Sequence, residues 1–349
     1  MTTYVGMDLH STNTVLGMVD EDGKRIYRKK IPNHYALISK ELQPFKKKIK
    51  GVVVESTYNW YWLVDQLIED GYKVHLANPS AIKQYEGKKY VNDQDDAFFL
   101  AELLRLGILP TGYIYPKKER SVRDLLRKRL MLVRQRTAHI LSFESFYCRN
   151  TGLRMSCNDV KKLNISDVDH MFESDYQVLS AQANIATIIF LNERIKEIEK
   201  RVLDFMKPMP QFQKLLTIPG IGNILALTIS LEVGEIDRFK KVGNYSSYSR
   251  CVSSGKYSNG KKKGENNRKN GNKYLSWAYV EAANHAKINC LYAMKFFQRK
   301  SAKTSNIVAI KALAHKIARA SYYVMKNQED YDIERIFGPI KKQAAAVNQ

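Results

Sequence analysis

The chain has 349 residues, and its 57 lysines and arginines outnumber its 35 aspartates and glutamates, which gives a formal net charge of +22. Such an excess favours a polyanionic partner through counterion release, so composition points first to nucleic acid. No apolar run approaches the roughly 20 residues of a membrane-spanning helix, and the first residues lack the layout of a signal peptide. We therefore expect no membrane association, and a cytoplasmic, nucleoid-associated chain of two or three domains.

The first region, residues 1–110, has the pattern of an α/β domain. Alternating segments between Tyr4 and Asn33 predict two or three strands, with a hairpin turn at Glu21-Asp22-Gly23. A helical segment follows, and then the β-branched run GVVVEST predicts a buried central strand. An amphipathic helix, the short strand KVHLANP and a further helix complete the region. Strands followed by alternating helices and strands predict a mixed sheet.

The second region, residues 111–208, reads as two long helices. A basic helix runs from Lys117 to about Cys148, and a second runs from about Ser174 to Met206. Their apolar spacing predicts an antiparallel hairpin or coiled-coil arm with a structural or oligomerising role. The alternative is nucleic-acid contact through the arginines of the first helix, namely Arg123, Arg127, Arg129, Arg134 and Arg136.

The third region, residues 209–330, is predicted to be a helical domain, and residues 331–349 are predicted to form a tail. Between two apolar segments stands Pro219-Gly220-Ile221-Gly222, which resembles the turn of helix-hairpin-helix modules. There, glycines let backbone N–H groups approach a phosphate, so Gly220 and Gly222 are candidate nucleic-acid contacts. Pro-Gly also marks ordinary turns between helices, so that interpretation stays open.

A strongly basic stretch, SSGKYSNGKKKGENNRKNGNKYLSW, follows in the same region. It is threaded with glycine and asparagine and contains one acidic residue, Glu265. Such a composition cannot bury itself, so we expect a flexible, exposed loop that binds nucleic acid, a solvated linker being the alternative. The candidate binding cations are Lys256, Lys261, Lys262, Lys263, Arg268, Lys269 and Lys273.

Four carboxylates occupy positions from which they can converge. Asp8 and Glu55 stand at the ends of two predicted strands, and such ends meet at one rim of a sheet. Asp93 and Asp96 are spaced i and i+3 on one helix face, whereas Asp95 suits helix capping. Because four clustered carboxylates repel one another, the cluster predicts a hard cation, Mg²⁺ or Mn²⁺. Taken singly, each residue is equally well an ordinary strand-end or capping group.

The cysteines and histidines point to no further metal chemistry. The four cysteines are widely spaced without a CxxC pair, so we expect neither a zinc site nor a disulfide framework. The seven histidines are scattered, and we interpret most of them as ordinary surface or packing residues.

The order VGMDLH, VVVEST, NDQDDAFFLAELLR, a helical arm, LLTIPGIG and a basic stretch before GNKYLSWAYVEAA resembles the DEDD-type insertion-sequence transposases. The resemblance spans residues 4 to 327. It implies a RuvC-like, RNase H-type fold whose quartet Asp8, Glu55, Asp93 and Asp96 holds Mg²⁺. It also implies a serine recombinase guided by a structured RNA, the bridge RNA, with composite active sites in a homo-oligomer of two to four subunits. DNA, both the element ends and the target, is then the substrate.

The same resemblance places the nucleophilic serine in the basic stretch, directly before a glycine. Ser258 is the best match, although Asn259 separates it from Gly260. Ser254, which does precede Gly255, is the alternative.

Three other functions remain open at this stage. The quartet could hydrolyse DNA alone through two metal ions, as in a Holliday-junction resolvase, with Ser258 uninvolved. MDLHSTNT faintly resembles the DxGxT phosphate loop of actin-like ATPases, but Leu9-His10 stand where that loop has glycine. A protein that binds nucleic acid without catalysis would carry the same charge.

Overall fold

A computed structural model describes residues 2–82, 93–265 and 270–339. The chain divides into two compact units, Met1–Lys117 and Lys118–Gln349. The first is a six-stranded mixed sheet with helices and the second is largely helical, so the predicted fold class is confirmed. The finer division at residues 110, 208 and 330 stays a prediction. No described helix is long and apolar enough to cross a membrane.

The first unit is built on a sheet of order β3-β2-β1-β4-β5-β6. Strand β1 runs parallel to β4, β4 runs parallel to β5, and the outer pairs are antiparallel. The predicted hairpin turn lies between β2 and β3, where the Asp20 carboxylate accepts hydrogen bonds from the N–H groups of Asp22 and Lys24. The strands are β1 Thr3–Leu9, β2 Asn13–Asp20, β3 Arg25–Pro32, β4 Ile49–Glu55, β5 Val74–Ala77 and β6 Thr111–Gly112.

Helices cover both faces of this sheet. Helix α1 (Tyr35–Leu42) and helix α2 (Tyr61–Glu69) pack on the face formed by Val5, Met7 and the alternate residues of β4. Helix α3 (Asp93–Arg105) covers the opposite face and approaches β1 closely at Gly6. A Cβ atom there would lie 1.9 Å from the carbonyl oxygen of Ala97, so only glycine permits this packing.

The second unit begins with two long helices, α4 (Lys117–Thr151) and α6 (Asp175–Met206). Arg129 of α4 bonds to Glu199, Arg136 to Asn192, and His139 to Asn184. Because the partner number falls as the α4 number rises, the pair is antiparallel, as predicted. Between them lie short helix α5 (Cys157–Val160) and a 3₁₀ turn at Ile165–Val168.

The remaining helices form a second core around α8, which is buried from Leu225 to Val233. Gly220 has a positive φ of 89°, and a Cβ atom there would lie 2.3 Å from the carbonyl oxygen of Ala282. Close packing between helices therefore already accounts for this glycine. The helices are α7 Pro210–Leu216, α8 Asn223–Val233, α9 Val242–Tyr248, α10 Lys273–Asn289, α11 Leu291–Ser301, α12 Asn306–Asn327 and α13 Ile333–Phe337.

The basic stretch differs from the prediction of a flexible loop. Strands β7 (Gly255–Ser258) and β8 (Lys261–Glu265) pair antiparallel in an exposed hairpin. Asn259 and Gly260 connect them with φ values of 49° and 71°. Two positive φ values in a two-residue loop define a type I′ turn, for which Asn-Gly is the preferred sequence. The composition argument missed this local signal.

Candidate functional site

The structure brings three of the four predicted carboxylates together at one rim of the first sheet. Asp8 and Glu55 stand at the carboxyl ends of neighbouring parallel strands, and Asp96 lies in the first turn of α3. Asp8 is 5% exposed. Burial, a hydrogen bond with Asp8 and the negative charges of Asp8 and Asp96 raise the pKa of Glu55 to about 7. Glu55 therefore keeps its proton up to a pH about two units or more above the range in which an isolated glutamate releases it.

The packing at Gly6 explains how α3 reaches this rim. Since the helix lies against the backbone of β1, its first turn stands beside the strand ends rather than a side-chain layer away. Asp93 is the first residue of α3, but its side chain and that of Asp95 lie outside the described part of the chain. Among the side chains that are described, no group of three or more forms a ready metal site.

The donor set nevertheless suits a divalent cation. Asp8, Glu55 and Asp96 offer oxygen ligands, and their mutual repulsion is what a cation would relieve. The fit therefore rests on donor chemistry and electrostatics, with Asp93 as the predicted fourth ligand.

His10 is a neighbour of this cluster that the sequence prediction missed. Its Nε2 atom lies 3.2 Å from Oδ2 of Asp8. The loop that carries it is fixed, because the side-chain amides of Asn33 and Asn59 both donate to the His10 carbonyl oxygen. The available signal was the Asp-x-His spacing at a strand end, since residues i and i+2 of a strand share one face. His10 can hydrogen-bond a carboxylate or the substrate that the carboxylate contacts.

Ser258 stands at the exposed tip of the β7–β8 hairpin, next to the turn. Its register partner is Lys261, and strand alternation places Lys256 on the same face. The hydroxyl and the two lysines therefore share one face of the hairpin. Ser254, the alternative nucleophile, is half-buried and precedes the hairpin.

The other predicted nucleic-acid contacts lie on several elements of the second unit. Lys263 is exposed on β8, and Lys273 begins α10 with its ammonium 5.2 Å from the ring centroid of Tyr274. Gly222 is exposed at the N-cap of α8. Lys262 is described only in its backbone, and Arg268 and Lys269 lie outside the described residues.

A buried carboxylate beside the start of α10 is the second feature that the sequence did not reveal. Glu232 is 2% exposed and accepts two hydrogen bonds from Arg127, at 2.6 and 2.7 Å, and one from Asn272 at 2.7 Å. Asn272 also caps α10 by accepting from the N–H groups of Tyr274 and Leu275. The Arg127 guanidinium stacks 4.5 Å from the ring centroid of Tyr274. This network fixes the point where the chain leaves the basic stretch and enters α10.

Backbone contacts tie the two ends of the basic stretch together. The Arg250 guanidinium donates to the carbonyl oxygens of Asn270 and Gly271 at 2.9 to 3.1 Å. The N–H of Asn272 donates to the carbonyl oxygen of Tyr248 at 2.6 Å. The hairpin is therefore exposed at its tip and anchored at its base.

Most of the arginines of α4 have structural contacts. Arg123 is buried, Arg127 bonds to Glu232, and Arg129 and Arg136 bond to residues of α6. Arg134 is exposed. These contacts favour the structural role of the helix over the nucleic-acid contact.

Two family models match the chain, one over the carboxylate cluster and one over the basic hairpin. The first is the model of the DEDD transposases of the IS110 group. It matches residues 5–146, which include the carboxylates of β1, β4 and α3. A second, described as the transposase IS116/IS110/IS902 family, matches residues 212–299, which include the basic hairpin. The chain belongs to the IS110/IS116 family of DEDD transposases. The predictions of a DEDD transposase, and of an enzyme that processes DNA, are thereby confirmed.

Curated relatives match this transposase over 70% to 92% of its length. It is 24% identical to the transposase for insertion sequence element IS1328 of Yersinia enterocolitica, over 92% of the chain and 96% of the relative. It is also 24% identical to the transposase for IS1111A of Coxiella burnetii, over 70% of the chain and 66% of that protein. A probable family 20 transposase of Pseudomonas aeruginosa is 22% identical over 80% of the chain and 85% of the relative.

Proposed function

We propose that this IS110-family transposase excises and inserts its own insertion sequence through a covalent phosphoserine at Ser258, assisted by the carboxylates of the sheet rim. The observation that carries the proposal is the carboxylate cluster of Asp8, Glu55 and Asp96. Burial and the neighbouring negative charges raise the pKa of Glu55 in this cluster to about 7. Such repulsion only destabilises a purely structural cluster, whereas in a cation-dependent phosphoryl-transfer site the bound cation would relieve it.

Asp8, Glu55, Asp93 and Asp96 are the residues that would hold Mg²⁺ or Mn²⁺. When bound, the cation would supply charge stabilisation to the phosphate that is transferred. The protein side chains do the rest: the carboxylates fix the cation against the sheet rim, and His10 steadies Asp8 through its imidazole.

Ser258 is proposed as the nucleophile. Its hydroxyl oxygen bonds to phosphorus and loses its proton, while the bond from phosphorus to a deoxyribose oxygen breaks and that oxygen gains a proton. The ammonium groups of Lys256 and Lys261 stabilise the negative charge on the phosphate oxygens. Because one phosphoester replaces another, a second DNA hydroxyl can reverse the step and reseal a strand without ATP.

Guide RNA and oligomerisation complete the proposal. The formal net charge of +22 suits simultaneous contact with two polyanions, RNA and DNA. Sequence readout would then be delegated to base pairing, with the protein recognising backbone and shape. In a homo-oligomer of two to four chains, Ser258 of one subunit can meet the carboxylates of another.

The test is covalent trapping. Purified protein, Mg²⁺ and the RNA encoded beside its gene are mixed with labelled element-end DNA, denatured and separated on a gel. We expect a slow DNA–protein band in the wild type, its loss in Ser258→Ala, and its retention in the neighbouring control Ser254→Ala. A band lost only in Ser254→Ala would identify Ser254, and not Ser258, as the nucleophile.

Metal-dependent hydrolysis by the carboxylates alone is the competing mechanism. It predicts cleaved DNA without an adduct, unchanged by Ser258→Ala and abolished by Glu55→Gln. That combination would overturn serine catalysis and leave the carboxylate site in place.

A further inference from the structure

We propose that a cationic cavity in the first unit, at the opposite end of the sheet from the carboxylates, binds a phosphate group of a single-stranded nucleic-acid segment. The cavity has a volume of about 470 Å³. It is lined by Tyr4, Lys50, Gly51, Lys73, His75 and Arg105, together with uncharged residues of α3 and the segment that follows it. The inference does not depend on the identity of the nucleophile or on a bound cation.

The strand directions fix where the cavity lies. Tyr4, Lys50 and Lys73 stand at or just before the beginnings of β1, β4 and β5, whereas Asp8 and Glu55 stand at the ends of the first two. Glu55 lies five positions after Lys50, which corresponds to roughly 16 Å along an extended strand. The cavity is therefore a separate site on the face of the sheet that α3 covers.

The charge of the lining is one-sided. None of the described residues that line the cavity is aspartate or glutamate. Arg105 is already paired with Glu102, at 2.6 and 2.8 Å, so it adds little free charge. Lys50 and Lys73 are exposed, and no ion pair to a carboxylate is found for either within the described part of the chain. These two ammonium groups supply the uncompensated charge that an anion would neutralise.

The chemistry of the lining favours phosphate carried by a nucleotide. The cavity is at the smaller end of ligand pockets, which span roughly 300 to 1,000 Å³, so it accommodates one nucleotide-sized group rather than a duplex. The half-buried Tyr4 ring, 5.9 Å from the Lys50 ammonium, offers an aromatic surface beside the cations. Burial and the charge of Lys73 lower the pKa of His75, so its imidazole is neutral at pH 7 and can hydrogen-bond a phosphate or a base edge.

Glycine at position 51 keeps the cavity open. A Cβ atom there would lie 3.3 Å from a methyl carbon of Leu104 and 3.5 Å from Nε2 of His75. A larger side chain would therefore project between the histidine and the helix.

Fluorescence anisotropy with a labelled 12-nucleotide strand, made once as DNA and once as RNA, tests the site. The full-length protein is used in EDTA, so no strand chemistry occurs. The variant Lys50→Gln/Lys73→Gln is compared with Lys30→Gln/Lys40→Gln, which removes two exposed lysines of β3 and α1 and the same total charge. Thermal melting checks that both variants fold like the wild type.

We expect the cavity variant to weaken binding by about tenfold more than the control and to reduce the slope of log K against log salt by about 0.7, the value for one lost single-strand phosphate contact. Selective loss with RNA, with DNA or with both supports the proposal and identifies the strand bound. Equal loss in the two variants would mean general charge attraction and overturn it. Competition by adenosine monophosphate as strong as by the oligonucleotide would also overturn it, in favour of a small-ligand site.

Discussion

The carboxylate cluster and the basic hairpin are the two parts of the proposed active site, but they are held in opposite ways. The cluster is fixed by packing, because α3 lies against Gly6 and brings Asp96 to the ends of β1 and β4. The hairpin is exposed at its tip, and Arg250, Asn272 and Glu232 hold the segments that flank it. The proposed cation site requires convergent groups that cannot relax apart, whereas the proposed nucleophile requires an exposed position on a firm base.

The largest expected effect separates chemistry from binding at the cluster. Asp8→Asn removes one charge from the carboxylates, and we expect DNA cleavage to fall by at least about a thousandfold through loss of cation binding. DNA affinity should stay equal or improve, because a repulsive charge is lost. Cleavage assays and anisotropy on the same preparation check this. Retained cleavage would remove Asp8 from the site.

The next effect tests whether packing sets the cluster. Gly6→Ala places a methyl group on the Ala97 carbonyl, so we expect a loss of about 3 kcal/mol in the free energy of unfolding and impaired cleavage. Gly112→Ala is the matched control, since a Cβ atom there meets only ordinary contacts at 3.7 Å or more. Urea denaturation measures both. Equal stability of the two variants would contradict the close approach.

The anchor of the hairpin is tested by Glu232→Gln. Removing the buried charge leaves the Arg127 guanidinium without its bidentate partner, and we expect a cost of roughly 2 to 3 kcal/mol, reduced because Arg127 is partly exposed. Glu235→Gln, at an exposed position close by, should stay within about 0.5 kcal/mol of the wild type. Hydrogen exchange at the start of α10 should rise only in the first variant.

The fourth prediction concerns pH. The pKa of Glu55 is about 7 in the folded chain and 4.5 ordinarily, so the folded state keeps a proton that the unfolded state releases between these values. Stability should therefore fall as pH rises from about 4.5 to 7 and remain lower above it. Allowing for solvent screening, the Glu55 contribution is roughly 1 to 2 kcal/mol.

Melting curves between pH 5 and 8 without divalent cation check this. Glu55→Gln should show a shallower decline than the wild type, and Mg²⁺ should stabilise the wild type more at pH 8 than at pH 5. Parallel pH curves for the two proteins would show that Glu55 titrates normally.

The smallest effect concerns the turn at the tip. Asn259→Val puts a β-branched residue at a φ of 49°, which we expect to cost the hairpin about 1 kcal/mol locally. Overall melting should not change, while amide exchange of β7 and β8 should accelerate. Unchanged exchange would mean that the hairpin does not depend on its type I′ turn.

Local patterns were sufficient for the elements and insufficient for the contacts. The β-branched run of β4 and the acidic strand ends of β1 and β4 predicted a buried sheet with Asp8 and Glu55 at one rim, because strand period and parallel pairing are short-range rules. The fit of Gly6 against Ala97, and of Glu232 against Arg127, joins residues about 90 to 105 positions apart. No local period encodes such pairs, so Glu232 looked ordinary in the sequence, whereas His10 carried the local signal of its Asp-x-His spacing.

Anchoring the hairpin also sets the effective concentration of its serine. With Arg250 holding the far end of the stretch, Ser258 is carried on a four-residue strand and reaches roughly 13 Å from its base, instead of sweeping the volume open to a free chain of some 20 residues. Under the proposed serine mechanism, confinement of that kind would keep the Ser258 hydroxyl at millimolar or higher local concentration beside a phosphate within its reach. It would also restrict attack to DNA that is held close to the base of the hairpin.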